Sequence, residues 1–119
     1  MKTIFSFVFI LFISSVLAAQ DNKIIQAEIS VSGICNMCKE RIETAVKISE
    51  VRFAKWDKHQ KSLKVAFLSP AVTLDSLEKR IAAVGHDTDN FKAATEVYST
   101  LPKCCRYRDG IKTHWYLGE

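Results

Sequence analysis

The sequence predicts an α+β sandwich in which a four-stranded antiparallel sheet carries two helices on one face, in the order β-α-β-β-α-β. Two observations point there. Apolar residues alternate along four short segments and recur at helical spacing along two others. These segments follow one another within a chain of 119 residues, which suits one ordinary domain and is too short for two. Composition is that of a globular protein, with 48% hydrophobic and 25% charged residues and no low-complexity tract or solenoid-length repeat.

The start of the chain stands apart from that domain. Lys2 precedes the apolar run IFSFVFILFI over residues 4–13, and the small residues Ala18 and Ala19 follow. A charged start, an apolar centre and small residues at the end make residues 1–18 a secretory signal peptide, with cleavage after Ala18 or Ala19. The apolar run is shorter than the ~20 residues a membrane span needs. The mature chain is therefore expected to be exported, either periplasmic or secreted. Loss of Lys2 lowers the net charge from +4 to about +3, too little to argue for nucleic acid.

The folded domain is expected over residues 23–95. Along IIQAEISV (24–31), Ile25, Ala27, Ile29 and Val31 share one face, which predicts a half-buried strand ended by Gly33. The period then changes. Cys38, Ile42, Ala45, Val46 and Ser49 fall at helical spacing, with Asn36 as N-cap and Glu43–Lys47 as an i,i+4 pair. Residues 51–57 form a second strand with Ala54 and Trp56 inward. Residues 62–68 form a third with Leu63, Val65 and Phe67 inward. Lys55, Lys58, Lys61 and Lys64 make a solvated, edge-guarding hairpin face. A second helix starts at Thr73, with the stripe Leu74, Leu77, Ile81 and Val84, and ends at Gly85. Residues 91–94 are expected as the fourth strand. Residues 96–119 form an irregular tail. This order is that of the ferredoxin-like fold.

Four cysteines in an exported chain would suggest two disulfides, but here they come as two tight pairs, Cys35/Cys38 and Cys104/Cys105. A disulfide within C-x-x-C closes too small a loop to constrain the unfolded chain much. Cys35 falls in the first β-α loop and Cys38 in the first helical turn, so both sulfurs can converge on one point. The helix N-terminus should ease ionisation of Cys38. Two thiolates on an exposed loop suit a soft ion, Cu(I) first, and are too few for a closed zinc site.

The residues Cys35-x-x-Cys38, Ile42, Val51-x-x-Ala54-x-Trp56-Asp57, Leu63-x-Val65-x-Phe67 and Gly85 resemble the heavy-metal-associated (HMA) domain family, from about Lys23 to Ala94. That family comprises small modules of copper chaperones, metal-pumping ATPases and exported mercury-binding proteins. The resemblance implies that Cys35 and Cys38 are the metal ligands, that Cu(I) is the cargo with Hg(II) or Zn(II) as alternatives, and that the partner is a metal-transporting membrane protein or another metal carrier. Two departures stand out. The usual Gly-Met-x-Cys-x-x-Cys puts a methionine plug ahead of the cysteines, whereas Met37 lies between them here. The loop after the second helix reads Gly85-His86-Asp87, so His86 is a candidate third ligand or proton-dependent gate, against an ordinary loop histidine.

Cys104 and Cys105 lie beyond the usual domain. Both are candidate metal ligands folding back on the first pair, or candidates for disulfides with other chains or with Cys35 and Cys38. The Leu101-Pro102-x-Cys104-Cys105 ending is similar to that of some exported family members. His59 and His114 read as solvated, and Trp115 and Tyr116 as tail packing or a partner contact. The expected function is a non-enzymatic carrier that captures a soft metal and passes it on by thiolate exchange. A thiol-disulfide oxidoreductase using the same pair is one alternative. Against it, Ile34 rather than an aromatic residue precedes Cys35. A structural or adaptor domain with an inert disulfide is the other.

Overall fold

In the computed structural model, which describes residues 21–109, the elements run β1 (Lys23–Ser30), α1 (Asn36–Ala45), β2 (Val51–Asp57), β3 (Ser62–Ser69), α2 (Leu74–Ala83), α3 (Thr95–Tyr98) and one 3-10 turn (Lys103–Cys105). The expected leader and His114, Trp115 and Tyr116 lie outside the described residues.

The sheet is antiparallel, in the order β1-β3-β2. Its register sets Ala27 opposite Val65, Ile29 opposite Leu63 and Trp56 opposite Leu63, so the apolar sets of all three strands share one face. A bulge between Val51 and Phe53 shifts β2 by one residue, which keeps Val51 and Ala54 packed against the same core. Ile42 and Val46 from α1 and its C-terminal end, and Leu77 and Ile81 from α2, complete a single buried cluster with Leu63, Val65, Phe67 and Trp56.

Helix α2 begins as its sequence predicts. The Thr73 hydroxyl accepts from the Ser76 N–H and the Ser76 hydroxyl oxygen accepts from the Thr73 N–H, a reciprocal capping box. It ends at Gly85, whose φ of +106° few other residues adopt cheaply. Helix α1 begins differently. Cys35, not Asn36, occupies the N-cap position. Glu43 pairs back with Lys39 rather than forward with Lys47, because its carboxylate also accepts from the Trp56 N–H. Of the expected lysine comb, Lys55 and Lys64 do face each other across β2 and β3. Lys61 instead turns back, and its Nζ donates to the Gly33 carbonyl.

The fourth strand expected over 91–94 is absent from the described sheet. Among the described residues, a bridge of Val31 with Thr88 and a bond from Ser32 N–H to the Asp87 carbonyl are the backbone pairing found there, just past the end of β1. The chain then turns away. Thr88 N–H donates to the Phe91 carbonyl, and the buried Glu78 carboxylate of α2 accepts from the Thr88 hydroxyl and from both Asn90 donors. Ala93 N–H goes to the Asp87 carboxylate and the Ala93 carbonyl to Arg108. The backbone groups a ladder would need already have other partners, in a stretch whose Asp and Asn residues favour turns.

Candidate metal centre

The loop between β1 and α1 is shaped by what lies beneath it. Trp56, 1% exposed, fills the space under Gly33, and its Nε1–H donates to the Val31 carbonyl at 3.1 Å. A Cβ on Gly33 would stand 2.9 Å from two carbons of the Trp56 ring and 3.1 Å from Cys38 Cβ. Glycine is needed here for close approach. Trp56 thus fills the space beneath the loop, and Met37 is 49% exposed.

On this support the Cys35 and Cys38 sulfurs lie 3.4 Å apart. A third sulfur joins them from the tail: Cys105 Sγ is 3.3 Å from Cys35 Sγ, and the Cys35, Cys38 and Cys105 sulfurs all fall within 4.8 Å of one another. All are free thiols. Three sulfurs bound at about 2.3 Å around a trigonal ion stand about 4 Å apart. The observed 3.3 and 3.4 Å are therefore a few tenths of an ångström tighter than a loaded site requires. Cys38 and Cys105 are fully buried, and Cys35 is half-buried.

Electrostatics divide the three. Burial opposes ionisation of Cys35, but the backbone N–H of Cys38 and the neighbouring thiols of Cys105, Cys38 and Cys104 favour its thiolate, and together they bring it down to about 7. A thiol acidified at the helix N-terminus is Cys35. Burial and the Cys38 and Cys35 sulfurs push Cys105 the other way, while Arg41, whose Nη1–H donates to Cys105 Sγ at 3.3 Å, works against that rise. The centre holds one thiol ready to ionise beside one that keeps its proton until a cation displaces it.

Cys105 reaches this centre because the tail is latched to the loop after α2. The Arg108 guanidinium grips the Asp87 carboxylate with Nε and Nη2, and Nη2 also reaches the Ala93 carbonyl at 2.8 Å. The Tyr107 hydroxyl donates to the Gly85 carbonyl and accepts from the Asp87 N–H. Leu101 packs against Gly85.

Cys104 points outward. It is exposed, 3.9 Å from Cys105 Sγ and 3.5 Å from Met37 Sδ. His86 is not in the sulfur cluster. Its Nδ1 lies 2.8 Å from the Ser32 carbonyl, an acceptor only, so Nδ1 carries the proton and ties the loop after α2 to the loop before α1. Nε2 is buried with no partner among the described residues, the ring stacks on Tyr107, and burial lowers its basicity. Sequence reasoning missed Arg41, Asp87, Tyr107 and Arg108. Arg41's place three residues after Cys38 was a usable signal, whereas the Asp87–Arg108 pairing left none.

No protein-family model matches the chain, and no curated protein matches it. Solved structures do. The CopZ metallochaperone superimposes with a TM-score of 0.51 at 24% identity, over 54% of this chain and 98% of that one. A protein of Bacillus anthracis str. Ames, determined in solution and described as copper-ion-binding, superimposes with a TM-score of 0.54 at 28% identity, over 58% of this chain and 100% of that one. In fold the chain is similar to these two proteins, and three thiols cluster beside the start of α1.

Proposed function

We propose that this protein is an exported soft-metal carrier that takes up Cu(I) through Cys35, Cys38 and Cys105 and hands it on by thiolate exchange to a metal-transporting membrane protein or another carrier. The observation that carries the reading is the convergence of three free sulfurs within 4.8 Å of one another, one of them from a tail about seventy residues away. Three soft thiolates suit Cu(I), while structural zinc asks for a fourth closed position. Hg(II) fits the same donor set. Arg41 and the α1 N-terminus offset the negative charge that three thiolates around a monovalent ion would accumulate. Exchange between thiolates needs no turnover chemistry.

The test is an anaerobic titration of the reduced mature chain with Cu(I) against a competing chelator. One ion per chain is expected. Binding should be lost in Cys35→Ser/Cys38→Ser, weakened at least about tenfold in Cys105→Ser, and held within about threefold in Cys104→Ser. A wild-type chain that cannot compete for Cu(I) would overturn the carrier reading. The acidified Cys35 thiol beside Cys38 also suits disulfide exchange, and catalysed reduction of a disulfide substrate by the same chain, with a small thiol supplied as reductant, would favour that second reading.

A further inference from the structure

The inner thiols present an access problem. Cys38 and Cys105 are both 0% exposed, so an incoming donor of copper reaches neither directly. On the solvent side stands a second pair of sulfurs outside the inner group of three. Cys104 is exposed, its Sγ lies 3.5 Å from Met37 Sδ, and Met37 is itself 49% exposed. These residues come from chain positions 67 apart, so docking of the tail, not local geometry, places them together. Cys104 Sγ is also 3.9 Å from Cys105 Sγ, which makes a continuous line of sulfur from the surface to the buried site. A thioether carries no proton at any pH and is a soft donor suited to Cu(I).

We propose that Met37 Sδ and Cys104 Sγ form an outer thioether–thiolate relay site, through which Cu(I) enters and leaves the inner three-thiol site. The proposal rests on the carrier reading above. On entry, the bond between Cu(I) and its external donor breaks as bonds to Cys104 and Met37 form, and the Cys104 proton leaves to solvent. The bond to Cys105 then replaces the bond to Met37, with the Cys105 proton following the same route. The bonds to Cys35 and Cys38 form last, as Cys104 lets go; of the two protons these thiols release, one returns to the Cys104 thiolate and the other leaves to solvent. Copper remains Cu(I) throughout, and no electron is transferred.

The experiment uses the full mature chain loaded with one Cu(I). It follows withdrawal of the ion by bathocuproine disulfonate in a stopped-flow spectrometer, beside equilibrium affinity measured separately. Met37→Leu and Cys104→Ser should each slow withdrawal by about tenfold or more while leaving affinity within about threefold, and the double variant should be little slower than either single one. Met37→Leu keeps the volume of an exposed side chain, so its folding is not in question. Withdrawal within about twofold of wild type in both single variants would overturn the proposal and leave half-buried Cys35 as the entry point. A fall of more than about tenfold in the affinity of Cys104→Ser would also overturn it, placing Cys104 in the inner ligand set. A wild-type chain that holds no Cu(I) would instead refute the carrier reading itself.

Discussion

Replacing Arg108 with methionine should release Cys105 from the centre without unfolding the domain. Arg108 makes two bonds to the Asp87 carboxylate and one to the Ala93 carbonyl, and its guanidinium lies 4.6 Å from the Tyr98 ring centroid. The pair is neither free in water nor buried, with side chains 29% and 10% exposed. Its loss therefore falls between the ~0–1 kcal/mol of a surface pair and the ~3–5 kcal/mol of breaking a buried one, at about 2–3 kcal/mol. Asp87 keeps the Ala93 N–H, and Tyr107 keeps its bond to Gly85, so the cost falls on tail docking. At about 1.4 kcal/mol per decade, the undocked population rises roughly 30- to 150-fold. Cys105 is fully buried, so alkylation of its thiol reports that population. In the metal-free reduced chain, iodoacetamide labelling resolved by peptide mass should accelerate at Cys105 by this factor. Arg108→Met and wild type labelling Cys105 within about threefold of each other would refute the latch.

Three further outcomes follow from the same geometry. Gly33→Ala drives a methyl into the Trp56 ring and the Cys38 Cβ, and should cost about 1–3 kcal/mol by overpacking, read as a lower thermal midpoint together with weaker Cu(I) binding. Thr73→Ala removes the α2 capping box and should cost about 1 kcal/mol, with Cu(I) affinity unchanged because the cap is remote from the sulfurs. Cys35, lowered from 9.0 to about 7, should show an alkylation rate in the metal-free chain that rises with pH about a midpoint near 7. The sign for stability is that of a depressed thiol: the unfolded chain binds the extra proton, so the Cys35 contribution is full above pH 9 and fades as pH falls through about 7. Chemical denaturation repeated between pH 9 and pH 6 checks the direction.

Strands β1, β2 and β3 were legible because each has one dry face. The alternations Ala27-Ile29-Val31 and Leu63-Val65-Phe67 survive into the core with their register intact. Helix α2 was legible from its start at Thr73 and from its apolar stripe, of which Leu77 and Ile81 are buried. The fourth strand was misread because short-range apolar content at Phe91–Ala94 says nothing of where its backbone bonds go. Those bonds are decided by Glu78, Asp87 and Arg108, which meet only after folding. The Cys35/Cys38 pair was visible from spacing. Which tail cysteine joins it was not, since the docking of residues 95–109 depends on an ion pair spanning 21 positions and on Tyr107 beneath the loop after α2. His86 was a fair candidate by loop position, yet the Ser32 carbonyl claims its Nδ1.

The central claim is that one ion is held by three sulfurs, two from the first loop and one from the tail. X-ray absorption at the copper edge of the Cu(I)-loaded chain tests it most directly. Three sulfur neighbours per copper in wild type and two in Cys105→Ser are expected. Two in both proteins would contradict the account and leave Cys105 a bystander to a two-cysteine site.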